Sequence, residues 1–131
     1  MTDKVYSYNY SRAYLPEMPV VEVELSTPGH DEPAITAMAL VDSGSDGTML
    51  PVQALTTIGA RYVGQARIRS VLGDSQLINL YLVSLRIADH HLNAVQVIAN
   101  SETEELILGR DVLNQLVVTL NGLASTTEIA T

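Results

Sequence analysis

The chain has 131 residues, which is enough for one domain with its own hydrophobic core. Aromatic residues make up only 5% of it, all of them tyrosine, so aliphatic side chains must build that core. Seven basic and fifteen acidic residues give a formal net charge of −8, which argues against nucleic acid or an anionic membrane surface as a partner. There is no cysteine, which excludes disulfides, thiolate nucleophiles and zinc–thiolate sites.

The first residues are polar and rich in tyrosine, and we interpret 1–18 as an N-terminal arm. The arm has no apolar stretch of the kind found in export signals. No apolar run elsewhere approaches the length of a membrane-spanning helix, so a cytoplasmic location is expected. Alternation in VVEVEL (20–25) predicts a half-buried strand, and the more continuously apolar AITAMALV (34–41) predicts a buried one.

The rest of the chain predicts further short elements. PVQALTTIGA (51–60) predicts a short helix that stops at Gly59, and ARIRSVLGDSQLINLYL (66–82) predicts a hairpin that turns at GDS. Three more strands are expected at 94–99, 106–109 and 117–120, and one helical segment is expected at 110–116. Many short strands with one or two short helices favour an all-β barrel or sandwich, followed by a polar C-terminal tail at 123–131.

The sequence LVDSGSDGT (40–48) places an aspartate where an apolar strand ends and a loop of small residues begins. A calcium loop fits poorly, because Gly44 stands at the third ligand position and Gln53 at the twelfth, where a bidentate glutamate is needed. Ser43 is not in the G-x-S-x-G sequence of a serine nucleophile, and the three histidines lie in predicted turns. The plainest interpretation of an isolated D-S-G is an Asx-type turn.

The surroundings of Asp42 favour a functional role instead. The residue follows the most apolar strand of the chain, and the small Ser43 and Gly44 suit a loop whose backbone approaches a partner closely. A second apolar strand, LILG (106–109), also ends in glycine and is followed by Arg110. Two buried strands that end in such loops can meet near one point and hold a carboxylate in place.

These segments resemble a known family. ALVDSGSDGTML (39–50) is similar to the catalytic loop of retropepsin-like aspartic proteases, and LILGRDVLNQLVVTLNG (106–122) is similar to their terminal strand–helix–strand. The order of the segments agrees as well, and the resemblance covers roughly residues 19–122. It implies an all-β fold: a retropepsin-like closed β-barrel with a flap hairpin and one short C-terminal helix. It also implies a homodimer that acts on an extended polypeptide.

The resemblance implies roles for the residues of the loop. Asp42 would be the catalytic aspartate, and Ser43 would hydrogen-bond to its own copy across the dimer axis. Gly44 would lend its backbone to the carboxylate and the substrate. Asp46 and Arg110 would form a buried ion pair that holds the loop on the helix.

Further residues depart from the viral pattern or belong to the flap. Ser45 stands where viral members usually carry alanine, so its hydroxyl could support the loop and donate a hydrogen bond toward the catalytic carboxylates. The flap tip would consist of Leu72, Gly73 and Asp74. Gly47 stands where viral members often carry an acid, which removes one polar contact to substrate. Water is the nucleophile in this chemistry, so neither a metal nor an organic cofactor is implied.

Aspartic protease chemistry needs two carboxylates that share one proton, because like charges about 3 Å apart cannot both ionise. This chain has one D-S-G only, and the acid of GRD (109–111) begins a predicted helix. The second aspartate therefore has to come from another copy of the chain, related by a twofold axis. The alternative is a retropepsin-like domain that dimerises or binds peptides with little or no hydrolysis.

Overall fold

The computed structural model describes residues 4–70 and 72–131, apart from the side chains of residues 31–33. This part of the chain is mostly strand, as the sequence predicts. Its elements, in chain order, are β1 Val5–Asn9, β2 Val20–Thr27, β3 His30–Val41, β4 Met49–Pro51, α1 Val52–Ile58, β5 Arg61–Arg69, β6 Ser75–Ile87, β7 His90–Asn100, β8 Leu106–Leu108, α2 Arg110–Leu113, β9 Val117–Asn121 and β10 Thr126–Ala130.

Six strands close into a barrel in the order β2-β3-β8-β4-β7-β6, and β6 pairs back with β2. The β3–β8 and β4–β7 contacts are parallel, and the other four are antiparallel. Alternation in β2 gives the strand one face toward the core and one toward solvent. Val21, Val23 and Leu25 are fully buried, while Glu22 and Glu24 point outward. The predicted closed barrel is confirmed, and closure leaves its strands without a free edge.

Aliphatic side chains fill the barrel, as the scarcity of aromatics requires. The largest fully buried ones include Leu25, Leu50, Leu85, Ile87 and Leu108. Helix α1 packs on the barrel through Leu55 and Ile58 and ends at Gly59, whose φ of 67° is left-handed, so the predicted stop is confirmed. No helix in the described residues combines the length and the apolar character that a membrane crossing needs.

Strands β5 and β6 form the predicted hairpin. Among the described strands β5 pairs with β6 alone, so the hairpin extends beyond the barrel wall. At its tip the Ser70 N–H donates to the Asp74 carbonyl (2.9 Å), and the Gly73 N–H donates to the Ser70 carbonyl (3.0 Å). Gly73 has a φ of 89°, a conformation that side chains rarely adopt, which explains a glycine at this turn.

The polar segments at the two ends, 1–18 and 123–131, contain strands that the sequence analysis did not predict; residues 1–3 lie outside the described residues. Strand β10 pairs with β1 on one side and β9 on the other, forming a three-stranded antiparallel sheet. Thr127 and Ile129 of β10 are fully buried. Only one of these two side chains is apolar, so the alternation in TTEIA was too weak to indicate a half-buried strand.

The N-terminal segment that includes β1 and leads to β2 is fixed to the rest of the molecule by tyrosines. Tyr8, in β1, packs against the buried hydrophobic core. Burial raises its pKa, and the neighbouring Glu22 acts in the same direction. The Tyr14 hydroxyl donates to the Glu105 carboxylate at 2.6 Å, and this hydrogen bond raises the pKa of Tyr14. The N-terminal segment therefore lies against the acidic loop that precedes β8.

Candidate active site

The loop 42–48 joins β3 to β4 and crosses the end of β8, which lies between those two strands in the sheet. Val41 and Leu108 are partners in the parallel β3–β8 pair, and the Asp42 N–H donates to the Leu108 carbonyl at 3.1 Å. Asp42 and Gly109 therefore leave the barrel side by side, at the carboxyl ends of parallel strands. The two apolar strands singled out in the sequence do meet at this point.

Asp42 is held by a local turn and remains exposed. Its Oδ1 accepts the Gly44 N–H at 2.9 Å, and its carbonyl accepts the Ser45 N–H at 3.2 Å. A Cβ at position 44 would lie 3.2 Å from the same carboxylate oxygen, so glycine leaves room for this close approach. The Asx-type turn considered from the sequence is thus present. It fixes the carboxylate through one oxygen, while Oδ2 has no protein partner among the described residues.

Arg110 connects the loop to the start of α2. Its Nη1 donates to the Ser43 carbonyl at 2.6 Å, its Nη2 pairs with the Asp46 carboxylate, and its backbone N–H donates to the Ser45 carbonyl at 2.9 Å. The predicted ion pair exists, but the prediction that it is buried is wrong. The side chain of Asp46 is 92% exposed and that of Arg110 is 44% exposed, because the loop runs over the mouth of the barrel, outside its core.

The hydroxyl of Ser45 does not reach the Asp42 carboxylate. It donates to the Gly47 carbonyl, two residues before the start of β4, at 2.8 Å. The expectation that this hydroxyl points toward the catalytic carboxylates is therefore corrected: within the chain it closes the second half of the loop. A hydroxyl in a tight turn finds a local backbone acceptor before it reaches a more distant one.

Beneath the loop lies a polar network that the sequence analysis missed. Thr48 is fully buried; its hydroxyl donates to Asp111 Oδ1 (2.8 Å) and accepts the Gly109 N–H (3.1 Å). The Thr48 N–H donates to Asp111 Oδ2 (3.2 Å), and Oδ1 also accepts the Val112 N–H (2.9 Å). One carboxylate thus joins the end of the loop to the start of α2. The sequence signal that could have indicated this network is Asp111, an acidic residue in the first turn of a predicted helix.

Gly109 lets the two halves of the site come together. A Cβ there would lie 2.5 Å from the carbonyl carbon of Gly47, 2.6 Å from its oxygen and 2.9 Å from the Ser45 carbonyl oxygen. These atoms belong to the backbone, which cannot move aside as a flexible side chain does. The glycine is therefore required for space, since its φ of −91° is one that any residue can adopt.

The predicted flap residues lie apart from this loop. Leu72, Gly73 and Asp74 are exposed at the tip of the β5–β6 hairpin. No hydrogen bond or ion pair of the described residues joins that tip to the loop 42–48. In the described part of the chain, moreover, no three His, Asp or Glu side chains come together as a metal site would require.

The exposure of the Arg110–Asp46 pair sets the size of one expected effect. We expect Arg110→Ala to lower the free energy of unfolding by only about 1 kcal/mol, because exposed pairs are screened by water. Arg110→Lys is expected to lose nearly as much, because an ammonium cannot satisfy both the Ser43 carbonyl and the Asp46 carboxylate in a fork geometry. Urea unfolding of both variants measures the effect. A loss of 3 kcal/mol or more, the range for a buried pair, would contradict the exposed geometry.

The fold and the loop have counterparts among known proteins. Residues 34–115, more than half of the chain, match the family model described as "gag-polyprotein putative aspartyl protease". A search of curated proteins finds no significant match. Among solved structures, the EIAV protease complexed with the inhibitor HBY-793 is 19% identical with a TM-score of 0.58, over 77% of this chain and 89% of that one.

A second similar structure covers nearly the whole molecule. A retropepsin-like aspartic protease from Rickettsia conorii is 10% identical with a TM-score of 0.63, over 99% of this chain and 94% of that one. At such identities the two structures show a shared fold. The family match covers the loop 42–48, the β5–β6 hairpin and the Gly109–Arg110–Asp111 segment together. The chain therefore belongs to the retropepsin-like aspartic proteases, in the gag-polyprotein aspartyl protease family.

Proposed function

We propose that this chain is a homodimeric aspartic endopeptidase whose catalytic dyad is formed by one Asp42 from each copy. The observation that carries the proposal is the position of Asp42. It lies exposed at the mouth of the barrel, fixed through one oxygen by Gly44, in a loop that Arg110 and Asp111 hold from below. A carboxylate that is held in one position and yet open to solvent is suited to act, together with its copy, on a bound peptide.

Two such carboxylates share one proton, and each form has a task. The ionised carboxylate takes a proton from a water molecule, which attacks the scissile carbonyl carbon. The protonated carboxyl donates a hydrogen bond to the carbonyl oxygen, where negative charge develops. When the tetrahedral intermediate collapses, a proton passes to the leaving nitrogen and the dyad returns to its singly protonated state. Ser43, exposed beside Asp42, is suited to hydrogen-bond to its copy across the axis.

The substrate fits as an extended strand between the loop and the flap. Extended peptides are bound mainly through backbone hydrogen bonds, with pockets for alternate side chains. The backbone of Gly44 is exposed on the loop side. The hairpin tip at Leu72, Gly73 and Asp74 is suited to cover the substrate from the other side and exclude water.

Strand β9 is suited to join the two copies. It is the edge strand of the three-stranded sheet, and among the described strands it pairs with β10 alone. Val117 is 65% exposed and Leu120 is 54% exposed, so this edge is apolar. An apolar edge strand with unpaired backbone groups is a template for pairing with another chain. Pairing of β9 with its copy across a twofold axis would form a six-stranded sheet without exchange of termini.

We expect Leu120→Glu to weaken dimerisation, because the twofold axis brings like charges close together on neighbouring strands. Sedimentation should show a wild-type dimer and a mostly monomeric variant, and the wild type's specific activity should rise with enzyme concentration before it levels off. Leu15→Glu is the control, since this leucine is fully exposed and lies outside the sheet. A Leu120→Glu protein that dimerises like the wild type would show that β9 is not the interface.

Incubation with a peptide library, followed by mass spectrometry of the products, tests the activity itself. Cleavage within peptides that depends on Asp42 would support the endopeptidase. Peptides that bind without being cleaved would support the other candidate, a retropepsin-like domain that dimerises or binds peptides with little hydrolysis.

A further inference from the structure

A pocket of about 190 Å³ opens between the flap hairpin and the barrel. Four half-buried or buried apolar side chains form its inner wall: Met49, Ile68, Ile78 and Ile98. Pockets that hold drug-sized ligands begin at about 300 Å³, so this one is suited to a single side chain. We call it the loop–flap pocket.

The loop–flap pocket lies directly beside the catalytic loop. Met49 is the first residue of β4 and pairs with Ile98 of β7. The Ile98 N–H donates to the Thr48 carbonyl at 2.9 Å. A Cβ on Gly47 would come within 3.0 Å of Ile98 Cδ1, so the wall of the pocket touches the loop five residues after Asp42. The opposite wall, Ile68 and Ile78, belongs to the two strands of the flap hairpin.

The mouth of the loop–flap pocket carries one negative charge. Gln76, Asn100 and Glu102 line it, and no lysine or arginine does. The side chain of Asn100 is already engaged, because it accepts the Glu102 N–H (2.9 Å) and donates to the Thr103 hydroxyl (3.2 Å). These two bonds hold the backbone turn that places Glu102 at the mouth and leave its carboxylate as the charged group there.

Neighbouring charges do not cancel that of Glu102. Arg67 and Arg69 alternate with Ile68 along β5, so they lie on the other face of the hairpin. Arg67 also donates to the Ser75 hydroxyl there. The other acids of the same loop serve elsewhere: Glu105 accepts the Tyr14 hydroxyl, and Glu104 lines a separate depression beside α1.

We propose, on the basis of the endopeptidase function above, that the loop–flap pocket selects substrates with a lysine or arginine side chain. The aliphatic stem of such a residue packs against Met49, Ile68 and Ile98, and its cationic head reaches the carboxylate of Glu102. Long basic side chains routinely bury their methylene groups while the charge stays at the water boundary. An apolar pocket with one carboxylate at its mouth matches that division.

The test compares peptides that differ at one position. In a peptide that the enzyme cleaves, each residue flanking the scissile bond is replaced in turn by lysine, norleucine or glutamate. Norleucine keeps the aliphatic stem of lysine and lacks the charge. At one position we expect kcat/KM to be about fivefold higher for lysine than for norleucine, the size of one exposed ion pair, and lowest for glutamate. The lysine preference should shrink at high ionic strength.

Variants then assign the preference to Glu102. Glu102→Gln should bring the lysine-to-norleucine ratio close to one, and Glu102→Lys should make glutamate better than lysine. Glu104→Gln is the matched control, because it removes the same charge from the same loop but lies outside the pocket. It should leave the ratio unchanged, which separates the pocket from the general attraction of a chain with a net charge of −8.

The outcomes separate this inference from the function on which it rests. Cleavage that depends on Asp42 but shows no lysine preference, or a preference that survives in Glu102→Gln, overturns the pocket assignment and leaves the endopeptidase standing. If there is no cleavage that depends on Asp42, the endopeptidase fails. Fluorescence anisotropy with a peptide that the protein binds, carrying lysine or norleucine in turn at each position, then decides the pocket alone: equal affinity for lysine and norleucine at every position overturns it.

Discussion

Replacing Asp42 by asparagine is expected to abolish peptide cleavage and to leave the fold intact. In the proposed homodimer both halves of the dyad change together, so the site would lose its base and its shared proton at once. General acid–base catalysis contributes about 10²–10⁴-fold, so activity should fall at least about a hundredfold. The fold should survive because an asparagine side-chain oxygen can still accept the Gly44 N–H that now binds Oδ1.

The assay is kcat/KM on a cleaved peptide, combined with a thermal melt of the same preparation. Asp89→Asn is a suitable control, since this aspartate is exposed in the turn between β6 and β7 and the substitution removes the same charge. It should retain full activity. An Asp42→Asn protein that keeps its melting temperature and more than about a hundredth of the activity would rule out the dyad.

Replacing Asp111 by alanine should give the largest loss of stability among the residues around the loop. The carboxylate accepts the N–H and the hydroxyl of Thr48, which is fully buried and has no access to water as a substitute. Hydrogen bonds to charged groups contribute about 1.5–3 kcal/mol each. Because Asp111 itself is partly open to solvent, we expect a total loss of about 2–4 kcal/mol.

Matched variants at Thr48 isolate the network. Thr48→Val keeps the shape and removes the hydroxyl, whereas Thr48→Ser keeps the hydroxyl and removes a methyl group, so Thr48→Ser should be the milder change. Urea unfolding of the single and double variants should show that Thr48→Val costs much less once Asp111 is alanine, because the two side chains share a bond. Additive losses, or an Asp111→Ala protein with an unchanged midpoint, would mean that water replaces the carboxylate without cost.

Local patterns in the sequence predicted which face of a strand is buried and where a hairpin turns. Alternation placed Val21, Val23 and Leu25 on the inner face of β2, and the GDS turn placed Gly73 at the hairpin tip. The apolar run that ends at D-S-G indicated a loop with a functional role, and the resemblance to a family suggested the chemistry proposed for that loop. A period of two or of 3.6 residues identifies the buried face of an element, and a turn residue shows where the element ends.

Contacts between distant segments were not predictable in the same way. Thr48 and Asp111 are 63 residues apart, and their bond exists only because β8 inserts in register beside β3. No local pattern encodes that register. The same limit explains why the Asp46–Arg110 pair was wrongly predicted to be buried. The sequence shows that the two charges are complementary, but whether a loop lies over or inside the barrel depends on how the strands close.

The position of β8 between β3 and β4 has a consequence for the growing chain. Hairpins such as β2–β3 and β5–β6 join neighbours in sequence and can form as soon as they leave the ribosome. The central strand of the site, Leu106–Leu108, arrives some sixty residues after the loop that it supports. Pairings across such separations form slowly, and chains emerge at about 5–20 residues per second. The loop around Asp42 therefore takes its shape only after most of the barrel has been made. If the chain is the proposed endopeptidase, its active site is absent while its own unfolded segments are still exposed beside it.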